Sequence, residues 1–359
     1  VSDAEHPTYY RKKRSGSEKE LLLDVNALAA NKTYYTAGNI TPSPSHRFFA
    51  YYENNDGSDK YVVKFKDTEK NALLLDSLYN VQNITWLDDK TILYIKPEKK
   101  TLRSSRVYLH ELNTNQADDK LIFEEQDPRF SVGMSKSESK EFIFLNSYSK
   151  TTTELYFYRI GESKLNFQRV IERQEGLQYG FRHYKDKFYV VTNDKAENYK
   201  IMVTDTARYQ KKYWKKYIPH NDNVLIRDFE IFDNYFVLQE KRDANNYLRV
   251  IDKATGKSHD IEFEEDLGYP RFTSNPYFDT DSLRIYYASY KTVPTYYDYH
   301  MGTRKRTMLK KTNKSNMMGS KYLKVERVYA NARDGKQIPI TLLYYKWTVK
   351  SKVNPKRLF

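Results

Sequence analysis

Six segments of this chain resemble one another at a nearly constant spacing, and that repeat restricts the fold more than any other feature. The copies are "RFFAYYENNDGSDKYVVKFKDTEK" from Arg47, "TILYIKPEKKTLRSSRVYLHELNT" from Thr91 and "KEFIFLNSYSKTTTELYFYRIGES" from Lys140. The others are "DKFYVVTNDKAENYKIMVTDTARY" from Asp186, "NYFVLQEKRDANNYLRVIDKATGK" from Asn234 and "SLRIYYASYKTVPTYYDYHMGTRK" from Ser282. Successive copies begin 44, 49, 46, 48 and 48 residues apart. Each reads as strand, polar loop, strand, then a polar turn such as Lys253-Ala254-Thr255-Gly256. A short strand ending in a turn precedes the copies ("NITWLDDK", "FSVGMSKSESK", "YGFRHYKDK", "RDFEIFDN"), and a fourth follows ("KLIFEEQD", "SHDIEFEED"). Four strands in about 47 residues is the pattern of a β-propeller blade. The 34 Tyr and 18 Phe suit half-buried pleated surfaces. Helical periodicity is nearly absent, apart from a short turn near Asn26 to Ala30.

The N-terminus carries half a copy. "TYYRKKRSGSEKELLLD" matches the third and fourth strands of a blade, as comparison with "KYVVKFKDTEKNALLLD" (Lys60 to Asp76) shows. The expected fold is therefore all-β: a seven-bladed propeller with six full four-stranded blades and an incomplete first blade from Thr8 to Asp24. An independent six-bladed ring would leave the half-unit unexplained. The half-blade's open strand edges favour association with other chains. Near the other end, "ANARDGKQIPITLLYYKW" predicts a hairpin: Arg333-Asp334-Gly335-Lys336 makes the turn, with Val328 before it and Ile338, Ile340 and Leu342 alternating after it.

Composition narrows the function classes. The net charge of +14 raises the question of a nucleic-acid or anionic-membrane surface. The basic clusters, Arg11 to Arg14, Lys211 to Lys216 and Arg304 to Arg306, are scattered, and no nucleic-acid-binding motif accompanies them. Neither a specific nucleic acid nor a membrane is expected as a partner. No run of some 18 apolar residues reads as a membrane span, and the first residues lack the apolar centre of a secretory signal. The absence of cysteine excludes disulfides, thiolate metal sites and a cysteine nucleophile, and it fits a cytoplasmic setting.

Several phrases, taken in order, carry a resemblance: "NVQNITWLDDKTILYI", "LIFEEQDPRFSVGMSKSESKEFIFLNSYSKTTTELYF", "TNDKAENYK" and "RVYANARDGKQIPITLLYY". Together they resemble the oligopeptidase B (protease II) group of the prolyl oligopeptidase family of serine peptidases, from about His6 to Phe359. The resemblance implies a seven-bladed propeller that covers an α/β-hydrolase domain and restricts access to short peptides. It further implies a Ser-Asp-His triad in the hydrolase domain and cleavage after Lys or Arg. On this reading residues 1–324 form the propeller, and 325–359 begin a hydrolase domain that is truncated or split off. The "DGKQIPITLLYY" hairpin would open that domain, and "VNPKRLF" would start its next strand. The family's triad would lie beyond Phe359, so none of its catalytic residues is carried over to a position here.

The residues themselves agree. A nucleophile elbow needs Gly-x-Ser-x-Gly; the nearest spacing, Gly176-Leu-Gln-Tyr-Gly180, centres on Gln178, which cannot attack a carbonyl. The seven His (His6, His46, His110, His183, His220, His259, His300) show no zinc-helix spacing and no adjacent second ligand, so they read as strand and turn residues, and neither metal nor other cofactor is expected. "HELNT" (His110 to Thr114) lacks a Gly expected before the Thr. "FEEQDPRF" places Glu124, Glu125, Asp127 and Arg129 around a Pro-fixed bend between blades. It reads either as a local salt-bridged turn of little stability value or as a contact to the hydrolase domain or an entering peptide. "SKTTTELYF" starts a strand, with Thr151 to Thr153 capping the turn, and "TNDKAENYK" is a loop whose side chains satisfy their own backbone.

The expected function is thus the non-catalytic, substrate-gating propeller of an oligopeptidase B-like serine endopeptidase, inactive by itself. Its expected partners are a separately encoded hydrolase domain and, in the intact enzyme, short basic peptides. The alternatives are an independent propeller that binds peptides or anionic partners, and a remnant without function.

Overall fold

The computed structural model describes residues 5–13, 16–58, 60–265, 267–312 and 322–346. The chain divides into two compact units, residues 1–178 and 179–359.

The first unit opens with a two-stranded antiparallel sheet, β1 (Thr8–Arg11) and β2 (Glu20–Asp24), paired from Thr8↔Asp24 to Arg11↔Glu20. This is the half-blade expected from the partial repeat. A five-residue helix, α1 (Val25–Ala29), follows; the Asp24 carboxylate caps it by accepting from the Asn26 and Ala27 amides. Three four-stranded antiparallel sheets come next, each joining consecutive strands. They are β3 (Thr36–Pro42), β4 (Phe48–Asn54), β5 (Val62–Asp67) and β6 (Ala72–Tyr79); β7 (Asn83–Trp86), β8 (Thr91–Pro97), β9 (Ser104–Glu111) and β10 (Lys120–Glu124); and β11 (Ser131–Lys136), β12 (Phe142–Tyr148), β13 (Thr153–Arg159) and β14 (Gln168–Arg169).

The second unit repeats the plan with β15 (Tyr179–Tyr184), β16 (Lys187–Thr192), β17 (Lys200–Asp205) and β18 (Lys215–Ile218), then β19 (Leu225–Ile231), β20 (Tyr235–Arg242), β21 (Asn245–Asp252) and β22 (Ser258–Asp260). The third sheet is β23 (Arg271–Phe272), β24 (Ser282–Tyr287), β25 (Thr295–His300) and β26 (Arg306–Lys311). The hairpin β27 (Leu323–Asn331) and β28 (Gln337–Tyr345) follows, with Val328 opposite Ile340. Its turn closes through Ala332 N to Lys336 O (2.8 Å), and Gly335 takes φ +83°, which a side chain would resist. Among the described residues there are thus six four-stranded sheets and two two-stranded ones, all antiparallel.

Within each unit the sheets stack face to face. Second strands are therefore buried on both sides: Ile92, Leu93, Tyr94 and Ile95 of β8 are all within 2% of full burial, as are Phe236, Val237 and Leu238 of β20. One apolar cluster joins Ala50, Val63, Phe65 and Leu78 to Ile84, Trp86 and Ile92 of the next sheet; another joins Leu93, Ile95 and Val107 to Val132, Ile143 and Leu145. Fourth strands other than β6 carry no buried residue, and the half-blade is docked rather than free. Leu23 packs with Phe49 and Tyr51, Arg11 donates to His46 O at 2.7 Å, and Lys66 donates to Leu22 O at 3.0 Å. Gly38 lets this seam close, since a Cβ there would lie 2.7 Å from the Tyr9 hydroxyl and push that side chain aside.

Polar bonds between successive sheets recur at one repeat length. Trp86 Nε1 donates to Thr41 O and Arg182 pairs with Asp228, 45 and 46 residues apart. Asn113, where the repeat leads one to expect Gly, has φ +69°; Asn tolerates this left-handed conformation better than most residues. The "TNDKAENYK" expectation needs correction. Asp194 binds Lys211 at 2.8 Å, and Asn198 donates to the carbonyls of Asn221 and Asp222, so the loop ties neighbouring segments together. At the β12–β13 turn the cap is Ser149, whose hydroxyl accepts from the Thr151 and Thr152 amides, rather than the threonines themselves.

Candidate functional site

The bend between β10 and β11 is shaped from both sides. Asp127 accepts from the Arg129 amide at 3.0 Å and pairs with its guanidinium at 2.7 Å, which holds the Asp127 carboxyl down to about 2. Arg103 grips the inside of the bend, donating to the carbonyls of Glu125, Asp127 and Phe130. Glu125 turns inward and is 6% exposed. Its carboxylate accepts from the Asp127 amide (2.8 Å), the Ser147 hydroxyl and Arg173 Nη2 (2.5 Å). Arg173, just past β14, also reaches Glu154 at 2.9 Å and stands 3.8 Å above the Phe130 ring. Burial raises the Glu125 pKa, yet hydrogen bonds from Arg173 and Ser147 outweigh it and keep the carboxyl below its ordinary range. The stretch is therefore more than a local turn: one guanidinium bridges two buried carboxylates drawn from different segments. Glu124 lies exposed on β10, apart from this cluster.

Beside the cluster opens a cleft of about 380 Å³ lined by Arg129, Phe130, Ser149, Lys150, Thr152 and Arg173, among others. It brings together two stretches singled out in the sequence, "FEEQDPRF" and "SKTTTELYF". Exposed Arg129 and Lys150 offer donors to the carbonyls of an extended peptide. No nucleophile with an adjacent base lines the cleft. Gly176, with φ +80°, forms a turn whose amide donates to Thr152 Oγ1, and Gln178 donates to Lys150 O, so this Gly-x-x-x-Gly spacing is no nucleophile elbow.

The sequence presents His110 as an ordinary strand residue; the structure gives it two carboxylates. Its Nε2 lies 3.0 Å from Asp76 of β6 and its Nδ1 lies 2.8 Å from Asp119. The imidazole is fully buried and both carboxylates are 3% exposed. Tyr94 Oη donates to Asp119 at 2.9 Å, the Asn113 amide donates to Asp76 at 2.7 Å, and Phe65 stacks on the ring. Each ring nitrogen faces an acceptor, so both must carry a proton for the cluster to be satisfied. Among the described residues no group of three or more His, Asp or Glu is arranged to hold a metal ion.

The hairpin β27–β28 presents Val328, Ile338 and Ile340 on one face, 37%, 50% and 40% exposed. Leu342 and Tyr344 on that face are half-buried; Trp347 and the "VNPKRLF" segment lie outside the described residues. The opposite face is anchored by Tyr329 Oη donating to Asp243 and by Arg327 donating to Asn245 Oδ1 at 2.7 Å. A two-stranded hairpin held mainly by polar contacts is marginal in water. Amide exchange by NMR or mass spectrometry should therefore be fast across Ile338 to Leu342 and slow across Phe236 to Leu238. Equal protection would make the hairpin an integral part of the blades.

The family model described as prolyl oligopeptidase, N-terminal β-propeller domain, matches residues 1–312. Dipeptidyl aminopeptidase BI of Pseudoxanthomonas mexicana is 36% identical over 332 residues, which cover 91% of this chain and 46% of that protein. Protease 2 of Moraxella lacunata is 25% identical over 364 residues, 99% of this chain and 52% of that one. Among solved structures, oligopeptidase B from Leishmania major superposes with a TM-score of 0.87 at 21% identity, covering 96% of this chain and 51% of its own. The chain thus spans about half the length of the relatives it matches. Among the described residues no helix is long and apolar enough to cross a membrane.

Proposed function

Since this chain belongs to the prolyl oligopeptidase family, as its N-terminal β-propeller domain, we propose that it is the substrate-gating, non-catalytic part of an oligopeptidase B-like serine peptidase that cleaves short peptides after Lys or Arg. The propeller spans residues 1–324 on this reading, and 325–359 begin the hydrolase domain. The observation that carries it is the uncovered apolar face of Val328, Ile338 and Ile340, which leaves a sheet-forming surface in want of a second layer. A hydrolase domain, in the same polypeptide or separately encoded, would supply that layer, and Glu124, Asp127 and Arg129 would lie where an entering peptide or that domain can touch them. A cytoplasmic setting accords with the absence of cysteine.

The test is an assay of the purified 359-residue chain on Lys- and Arg-ester and amide substrates. No turnover is expected, because the sequence contains no Gly-x-Ser-x-Gly elbow. Turnover that survives removal of contaminating peptidases and responds to a substitution in this chain would refute the reading. Addition of a matching hydrolase fragment should protect the hairpin from exchange. A second reading, release of dipeptides, is favoured by the 36% identity to dipeptidyl aminopeptidase BI. Substrates blocked at the amino terminus separate the two once this propeller is joined to a hydrolase domain: an endopeptidase cleaves them and a dipeptidyl aminopeptidase does not.

A further inference from the structure

We propose that the cleft between β27 and the loops around Glu264 and Tyr290 is a carboxylate-binding site built on Arg327. Six half-buried arginines bring their own counter-charge: Arg103, Arg173, Arg182, Arg242, Arg249 and Arg306 each pair with a carboxylate at 2.5–3.0 Å. Arg327 does not. Its Nη2 donates to the neutral Asn245 Oδ1 at 2.7 Å, and its buried Nε has no acceptor. Lys291 lines the same cleft, and among the described residues its ammonium has no carboxylate partner either.

The acids of the cleft are already engaged. Glu264 pairs with Arg306 at 2.5 Å, and Glu265 accepts from the Thr292 hydroxyl at 3.0 Å and from the Ser289 hydroxyl. Among the described residues, Arg327 and Lys291 thus line about 360 Å³ of space with no ion-pair partner, beside one carboxylate, Glu265, that is held by hydroxyls alone. Withdrawing a guanidinium from water without an anion is unfavourable, and its planar fork matches a carboxylate. Asn245 fixes the orientation of the fork, and the space admits a carboxylate with a residue or two of peptide attached. That carboxylate could be a peptide's C-terminus or an Asp or Glu side chain of an adjoining polypeptide; both present the same two oxygens.

The experiment follows the Arg327 Nε–H resonance, assigned by its loss in Arg327→Lys, while the full chain is titrated with three probes. These are N-acetyl-glycyl-glycine, its C-terminal amide, and N-acetyl-aspartic acid amidated at the α-carboxyl. Saturable shifts with a free acid and none with the diglycine amide are expected. A response to the first acid alone assigns the site to peptide C-termini, and a response to the aspartate probe alone assigns it to side-chain carboxylates. Read from the Asn245 side-chain amide resonance, which both variants keep, Lys291→Gln, at an exposed loop position, should weaken binding by at least about threefold, and Arg327→Gln by at least about tenfold, the loss expected for one charge-assisted hydrogen bond. The Lys291 variant keeps the test valid should Arg327→Gln fail to fold. No shift with either acid, or an equal shift with the amide, overturns the proposal.

Discussion

Replacing His110 with alanine should destabilise the chain by about 3–5 kcal/mol, measured by urea unfolding, because it strands two buried carboxylates against each other. Asp76 and Asp119 are 3% exposed and approach one imidazole from opposite nitrogens. Adding Asp76→Asn to the His110→Ala background should recover part of the loss by removing one stranded charge. The same cluster fixes the pH dependence. Burial of the ring favours its neutral form, but hydrogen bonds and charge from Asp76 and Asp119 outweigh this and lift the His110 pKa above its ordinary 6.5. The folded state therefore holds its proton more tightly than the unfolded one. Its stabilisation is complete below pH 6.5 and declines as pH rises through the elevated folded-state value. Wild-type stability should fall across that window, and the His110→Ala profile should lack this component. A neutral ring at acid-to-neutral pH, read from its nitrogen resonances, would contradict the arrangement.

Replacing Arg173 with methionine should destabilise by about 3 kcal/mol, since the buried Glu125 carboxylate then loses its charge partner. Glu154 would keep Arg169 as a cation, at 3.5 Å. Pairing Arg173→Met with Glu125→Gln should give a loss smaller than the sum of the single changes, the mark of direct coupling. Arg129→Ala provides the contrast. Its side chain is 73% exposed, and surface pairs of that kind contribute less than about 1 kcal/mol. Equal losses at Arg129 and Arg173 would mean that the bend, rather than the buried network, holds this region.

The strands, the half-blade and the turn at Gly335 were legible in the sequence because each depends on neighbours a few residues away. Strand and turn residues alternate in every copy of the repeat, and Thr8 to Asp24 could be matched to Lys60 to Asp76 directly. The buried charge clusters were not legible, because their members lie far apart: 34 residues separate Asp76 from His110, and 48 separate Glu125 from Arg173. The second distance is one repeat length, as are those of Trp86 to Thr41 and Arg182 to Asp228. A search for complementary polar pairs one repeat apart would have found Glu125 and Arg173. It would have missed His110, whose partners sit at other offsets, and Arg327, whose distinguishing feature is the counter-charge it lacks.

Because every four-stranded sheet joins consecutive strands, each can form as soon as its own stretch of chain is made, with little loop to close. The two-stranded opening sheet differs. A lone hairpin is marginal in water, and its packing partners Phe49 and Tyr51 belong to the sheet completed only at Tyr79. At ribosomal speeds of about 5–20 residues per second, β1 and β2 wait several seconds for that sheet. During synthesis, the β1–β2 hairpin therefore spends that interval unpacked, where a chaperone can shield it.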